Sequence, residues 1–108
     1  MQVNEIKQRF HRFEQCVEQA MRTCEHDASV SPQLAGSLRE LDREVHQVHD
    51  MVLNAQQESE QLMQCIDHLE EMGDEAKRAC QSSNVSPDTR DSVLDLHKEI
   101  STLKRQLH

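Results

Sequence analysis

The stretch Asn54-Ala55-Gln56-Gln57-Glu58-Ser59-Glu60 decides the fold of this chain, because it lies between two long segments with a helical pattern. It contains neither glycine nor proline, the residues that most often interrupt helices. If the stretch forms a turn, with Asn54 ending a helix, the chain folds into four helices. If the stretch stays helical, residues 33–81 form one helix of about 48 residues, roughly 70 Å long at a rise of about 1.5 Å per residue.

Apolar residues on both sides of this stretch recur in alternating steps of three and four, the heptad period of helices that pack along a seam. Of the 25 positions in this pattern, 24 are apolar and only Gly73 is not. The positions are Val3, Ile6, Phe10, Phe13, Val17, Ala20, Cys24, Leu34, Leu38, Leu41, Val45, Val48, Val52, Ala55, Leu62, Ile66, Leu69, Gly73, Ala76, Cys80, Val93, Leu96, Ile100, Leu103 and Leu107. No segment alternates as a strand would, so we predict an all-α fold with helices near residues 2–27, 32–55, 57–81 and 87–107.

The apolar stripe is wider than a two-stranded coiled coil needs. Nine of the 14 remaining apolar residues flank the seam at heptad positions e or g. They are Cys16, Met21, Ala28, Ala35, Met51, Met63, Cys65, Met72 and Ala79. A widened stripe is typical of a helix with two neighbours, as in a bundle.

Two predicted loops, residues 27–32 and 82–87, both end in Val-Ser-Pro. We predict that Ser31 and Ser86 cap the helices that follow, because a serine hydroxyl accepts hydrogen bonds from the first free backbone N–H groups. Pro32 and Pro87 suit the first helical position, where the missing N–H costs nothing.

These loops belong to an internal repeat. An offset of 55 residues aligns the loops and the helices after them, and an offset of 56 aligns the helices before them. The chain is therefore predicted to be a single helical domain, residues 1–108, made of two tandem helical hairpins, residues 1–56 and 57–108. Docking their apolar faces gives an up-down-up-down four-helix bundle.

The alternative is a continuous helix over residues 33–81, with the first and last helices folded back on opposite halves. That form leaves both apolar faces open, so it would have to dimerise. We favour the closed bundle.

Charge limits the choice of partner. The 108 residues include 20 acidic and 12 basic side chains, a formal net charge of −8. Nucleic acids and anionic membranes both attract basic proteins, so we expect neither as the main partner. The chain has no run of 18 apolar residues and no readable signal peptide, which predicts a cytoplasmic protein. The expected partner is another protein or a second copy of this chain.

Motifs that carry chemistry are missing from the sequence. It has no Cys-x-x-Cys, no His-Glu-x-x-His and no glycine-rich phosphate loop. Di-iron bundles need inward glutamates and Glu-x-x-His pairs, and no glutamate stands three residues before a histidine here. We therefore predict no enzymatic activity, no catalytic residues and no bound cofactor.

Five residues are the candidates for a metal-binding or thiol-redox function. Cys24 and Cys80 occupy equivalent repeat positions near the loops, with His26 close in sequence, and His46 and His49 are spaced i,i+3. The favoured interpretation is structural, with the cysteines as small core residues and the histidines on the surface. The metal or redox protein remains the alternative function.

Four residues are the candidates for partner binding. Met51, Met63 and Met72 flank the seam, and methionine-rich surfaces adapt to varied partners. Gly73 replaces a core side chain in mid-helix, either to let a neighbouring helix approach or to leave a hole for a partner side chain. The leading prediction is a non-enzymatic protein–protein interaction module acting as an adaptor, small chaperone or subunit. If the continuous helix forms instead, we predict that the protein is a homodimeric assembly element.

Overall fold

A computed structural model describes residues 2–57 and 59–107 of the chain, and these residues form four α-helices joined by short loops. Helix α1 spans Val3–Glu25, α2 spans Pro32–Asn54, α3 spans Glu60–Gln81 and α4 spans Pro87–Leu107. No β-strand occurs in this part of the chain. The all-α prediction is confirmed.

The helices pack as a ring in which each helix contacts its neighbours along the chain and α4 returns to contact α1. Consecutive helices run in opposite directions, so the architecture is the predicted up-down-up-down four-helix bundle. None of the helices in the described ranges combines the length and the apolar character that crossing a bilayer requires.

The predicted heptad seam forms the core of the bundle. Of its 25 positions, 22 are buried, and the three that are only partly buried, Val3, Cys24 and Ala55, lie at helix ends. Phe10 and Phe13 are the largest buried side chains, with ring centroids 6.3 Å apart. Burial of this seam holds the four helices together, since each valine, leucine, isoleucine or phenylalanine that leaves water contributes roughly 1.5–3 kcal/mol before entropy is counted.

The continuous helix over residues 33–81 is wrong, because the chain turns between α2 and α3. As predicted for the closed form, Asn54 ends α2, and Ala55 is extended, with φ −65° and ψ 131°. Ser59 caps α3: its Oγ accepts a hydrogen bond of 3.1 Å from the Leu62 backbone N–H, so α3 begins at Glu60 rather than near residue 57. Glu58 lies outside the described residues. Because of this turn, the two hairpins bury their apolar faces against each other. The open apolar faces, which were the reason to expect a dimer of the continuous-helix form, are therefore covered within one chain.

Serine caps begin the helices after both longer loops, as predicted. Ser31 Oγ accepts from the Leu34 backbone N–H at 3.1 Å, and Ser86 Oγ accepts from the Thr89 backbone N–H at 3.3 Å. Pro32 opens α2 and Pro87 opens α4. Each cap satisfies a backbone N–H that the helix itself leaves free.

The loops at this end of the bundle also contact each other. Asp27, after α1, accepts hydrogen bonds through Oδ2 from the Ser86 backbone N–H at 2.9 Å and from Thr89 Oγ1 at 2.8 Å. Its Oδ1 accepts from the Ser29 backbone N–H at 2.9 Å and from Ser29 Oγ. The Ser29 hydroxyl, then the Ser86 and Ser29 N–H groups and the Thr89 hydroxyl, hold the pKa of Asp27 well below its ordinary value.

A second contact runs in the opposite direction between the same loops. Ser83 Oγ, after α3, lies 3.1 Å from the Oγ of Ser31, the residue that caps α2. Asp27 and Ser83 each lie two residues after the end of a helix, and Ser31 and Ser86 each cap the helix that follows, so each loop contacts the cap residue of the other hairpin. Two docked copies of one hairpin would produce this reciprocal arrangement, and their origin by duplication stays a prediction.

Candidate functional site

Polar side chains from α3 and α4 converge on the outside of the interface between these two helices. Asp74 Oδ1 and His97 Nε2 lie 2.5 Å apart, and Ser101 Oγ is 3.4 Å from the same nitrogen. One turn before Asp74, Glu70 accepts a hydrogen bond of 3.4 Å through Oε2 from Lys104 Nζ. One donor atom from each of Glu70, Asp74 and His97 lies within 4.8 Å of the other two. The His97 and Glu70 side chains are only 17% and 15% exposed, so the cluster is recessed.

A close helix contact lies beneath this cluster. Gly73 is buried, and a Cβ placed on it would be 3.3 Å from Ile100 Cγ2 and 4.0 Å from His97 Cδ2. Of the two accounts of Gly73, the structure shows the close approach of a neighbouring helix, because Ile100 of α4 occupies the space beside it. The His97 ring also lies near this glycine, at ordinary contact distance from where a Cβ would be.

Acidic side chains are concentrated on α3. Glu71 and Glu75 are exposed on the outer face of the helix, directly after the recessed Glu70 and the partly exposed Asp74 respectively. Exposed His68 lies one turn before them. With few cations to balance them, these carboxylates give the outer face of α3 a negative potential.

Cys24 and Cys80 lie at the loop end of the bundle, as their sequence positions suggested. Cys80 is buried, Cys24 is partly buried and His26 is exposed. Burial, then the charge of Asp27 and the proximity of Cys80, raise the pKa of Cys24 to about 11, and burial raises the pKa of Cys80. Metal ligation and disulfide exchange both use the thiolate, so this environment disfavours both reactions.

The two histidines of α2 do not face the same group. His46 is exposed, and its Nδ1–H donates to the Asp42 carbonyl oxygen at 2.7 Å, a bond that raises the pKa of His46. His49 is half-buried and lies 2.6 Å through Nδ1 from Glu14 Oε2 of α1. Each ring therefore has its own partner.

The three methionines named as candidates all lie at the edge of the core. Met51, Met63 and Met72 are partly buried and pack against the buried cluster. Met51 Sδ is 3.9 Å from Cys65 Sγ, so this methionine fills the junction between α2 and α3. Met63 and Met72 both belong to α3.

The cluster of Glu70, Asp74 and His97 was not among the candidate sites expected from the sequence. The signal was present, because Glu70 and His97 both occupy heptad position e, directly after the core residues Leu69 and Leu96. In an antiparallel hairpin the e positions of the two helices meet across the seam. Finding the pair from sequence required the axial alignment of α3 with α4, which the heptad pattern alone does not give.

Comparison of the chain with protein-family models, with curated proteins and with solved structures finds no match.

Proposed function

We propose that this protein is a protein–protein interaction module, an adaptor or subunit, that holds a basic segment of its partner along the outer face of α3. The observation that carries this proposal is the distribution of charge. Helix α3 contains six carboxylates and two basic side chains, so it accounts for four of the eight net negative charges of the chain.

The other helices are closer to electrical balance. Helices α1 and α4 each carry four carboxylates and four basic side chains, and α2 carries four and two. A charge concentrated on one helix steers an oppositely charged partner to that helix. The same charge spread evenly over the bundle would not orient the partner. The asymmetry supports α3 as the docking face.

Apolar surface is available beside these charges. Partly buried Met63 and Met72 belong to α3, and methionine side chains adjust their shape to the surface that they contact. Exposed Glu71 directly precedes Met72, and exposed Glu75 follows Met72 by three residues. A basic amphipathic helix matches this combination, because it presents lysine or arginine together with an apolar stripe.

The test measures binding of a synthetic amphipathic helical peptide of lysine and leucine by fluorescence anisotropy. The paired variant Glu71→Gln with Glu75→Gln removes two exposed charges from α3. The matched control, Glu40→Gln with Asp50→Asn, removes two exposed charges from α2. Because an exposed ion pair contributes roughly 0.2–1 kcal/mol, we expect the α3 variant to weaken binding about 2- to 30-fold.

The control should bind the peptide as the unmodified protein does. Equal weakening by both variants would show that only net charge matters and would refute the docking face, as would an absence of binding at low salt. A second test uses cells that make the protein. A photo-crosslinking amino acid is placed at exposed Gln64 of α3 and, for comparison, at exposed Gln47 of α2. The proposal requires an adduct specific to position 64, and identical adducts from both positions would contradict it.

A further inference from the structure

Glu70 and Asp74 of α3 and His97 of α4 form a donor set of two carboxylate oxygens and one imidazole nitrogen, all within 4.8 Å of one another. Within the described residues, no other group of three such side chains brings its donor atoms this close. We propose that these three side chains bind one divalent transition-metal ion, with Zn²⁺ as the probe, across the α3–α4 interface.

The spacing of the donor atoms is close to what zinc requires. Zinc bonds to nitrogen and oxygen are about 2.1 Å long, so two ligands of a tetrahedral ion lie roughly 3.4 Å apart. The 2.5 Å from His97 Nε2 to Asp74 Oδ1 and the 4.8 Å limit of the cluster bracket this separation. Small rotations of the three side chains reach it without moving either helix. Three protein ligands leave the fourth position to water.

The backbone beneath the donors is already held in place. Each ligand directly follows a buried core residue: Glu70 follows Leu69, Asp74 follows Gly73 and His97 follows Leu96. Binding therefore needs only side-chain ordering, because packing of the bundle fixes the position of all three Cα atoms. The His97 ring lies close to the backbone at Gly73, since a Cβ there would be 4.0 Å from His97 Cδ2, and its Nε2 is 2.5 Å from Asp74 Oδ1.

Lys104 is the counter-ion that a metal would replace. Its Nζ lies 3.4 Å from Glu70 Oε2, on the carboxylate that completes the donor set. A dication and an ammonium group compete for the same oxygen, so removal of the ammonium should strengthen metal binding. A cluster that serves only as a structural ion-pair network makes no such prediction.

The donor set favours a particular class of ion. Magnesium and calcium select oxygen ligands, whereas an imidazole nitrogen with carboxylates suits first-row transition ions such as zinc, cobalt and nickel. The equivalent positions in the first hairpin are Glu14, Glu18 and Asp42, under the offsets of the predicted repeat. They lack the imidazole, so the proposed site belongs to the second hairpin alone.

The experiment titrates the metal-stripped full chain with Zn²⁺ and, separately, with Mg²⁺ by isothermal calorimetry, with native mass spectrometry for stoichiometry. His97→Asn and Asp74→Asn each remove one ligand. As a control, His68→Asn removes an exposed histidine from α3, the helix that carries Asp74. Lys104→Met removes the competing cation. Far-UV circular dichroism checks that each variant keeps its helix content.

We expect one Zn²⁺ per chain and no Mg²⁺ binding. Each ligand variant should weaken zinc affinity by more than about tenfold, His68→Asn should leave it unchanged, and Lys104→Met should strengthen it. Zinc binding that is insensitive to His97→Asn would place the ion at another site and overturn the proposal, and so would the absence of binding. Co²⁺ provides a second readout, since a thiolate-to-cobalt charge-transfer band would contradict ligation by nitrogen and oxygen. None of these variants changes Glu71 or Glu75, so this outcome is independent of the peptide experiment.

Discussion

Replacing Gly73 by alanine tests whether the contact between α3 and α4 requires a residue without a side chain. The chain offers a matched control, because its other glycine, Gly36, also lies within a helix. A Cβ on Gly36 would have no atom within 4 Å, whereas a Cβ on Gly73 would lie 3.3 Å from Ile100 Cγ2. The added methyl group would therefore press against α4 at position 73 and enter open space at position 36.

Two effects compete at position 73. Alanine is about 1 kcal/mol more favourable than glycine inside a helix. Against this gain, Ile100 Cγ2 belongs to a β-branched side chain with one strongly preferred rotamer in a helix, so the methyl group does not swing away. The helices must separate by a few tenths of an ångström instead, and overpacking a core costs typically about 1–3 kcal/mol. We expect Gly73→Ala to lower the free energy of unfolding by about 1 kcal/mol.

Only the favourable effect acts at position 36. Gly36→Ala should raise the free energy of unfolding by about 0.5–1 kcal/mol, the usual difference between the two residues in a helix. The two variants should therefore differ by roughly 1.5–2 kcal/mol. In a domain of this size that separation corresponds to several degrees in the melting temperature.

Urea unfolding followed by far-UV circular dichroism measures both free energies, with linear extrapolation to water. The dependence on urea should be the same in all three proteins, since the surface exposed on unfolding hardly changes. If Gly73→Ala proves as stabilising as Gly36→Ala, the interface accommodates a methyl group at no cost. The account of Gly73 as the residue that permits close packing would then be refuted.

Three further predictions concern the cap, the loop contact and the thiols. Ser59→Ala removes the hydroxyl that caps α3 and should lower the free energy of unfolding by about 1 kcal/mol in urea, while Ser59→Asp, which keeps a capping oxygen, should not. Because Asp27 has a lowered pKa in the folded state, the stability that its carboxylate contributes is fully present above the ordinary pKa of 3.8 and is lost as the pH falls below that value. Asp27→Asn should therefore make the urea midpoint depend less on pH in the acid range. The control, Asp91→Asn at an exposed position, should leave that dependence unchanged. With its pKa raised to about 11, Cys24 should be alkylated at pH 8 on the order of 100-fold more slowly than in the unfolded chain, as measured by peptide mass spectrometry.

The core could be predicted from the sequence because the need to bury one apolar stripe acts along the whole length of each helix. Leu62, Ile66 and Leu69 lie on one side of α3 only if the chain is helical, and a seam of that period must be covered. The turn before α3 was harder to predict. Ser59 lies where the heptad register of Val52 and Ala55 would continue toward Leu62. A polar residue there could either interrupt a long helix or cap a new one, and only the docking of the hairpins separates the two cases.

The polar contacts could not be predicted because they join residues far apart in the sequence. Asp27 meets Ser86 and Thr89 across 59 and 62 residues, and no local pattern relates them. The pairing of Asp74 with His97 depends on how far α4 is shifted along α3. That shift is set by packing in the core, whose periodicity repeats every seven residues and therefore fits more than one alignment.

The contact of Asp27 with Ser86 and Thr89 has a consequence for the rate at which the bundle opens. Each hairpin can form from contacts that are local in sequence, but this loop contact forms only after the two hairpins have docked. An interaction that is absent from the folding transition state slows unfolding and leaves the folding rate unchanged. We therefore expect Asp27→Asn to speed unfolding and to leave the folding rate unchanged, as measured by stopped-flow kinetics in urea.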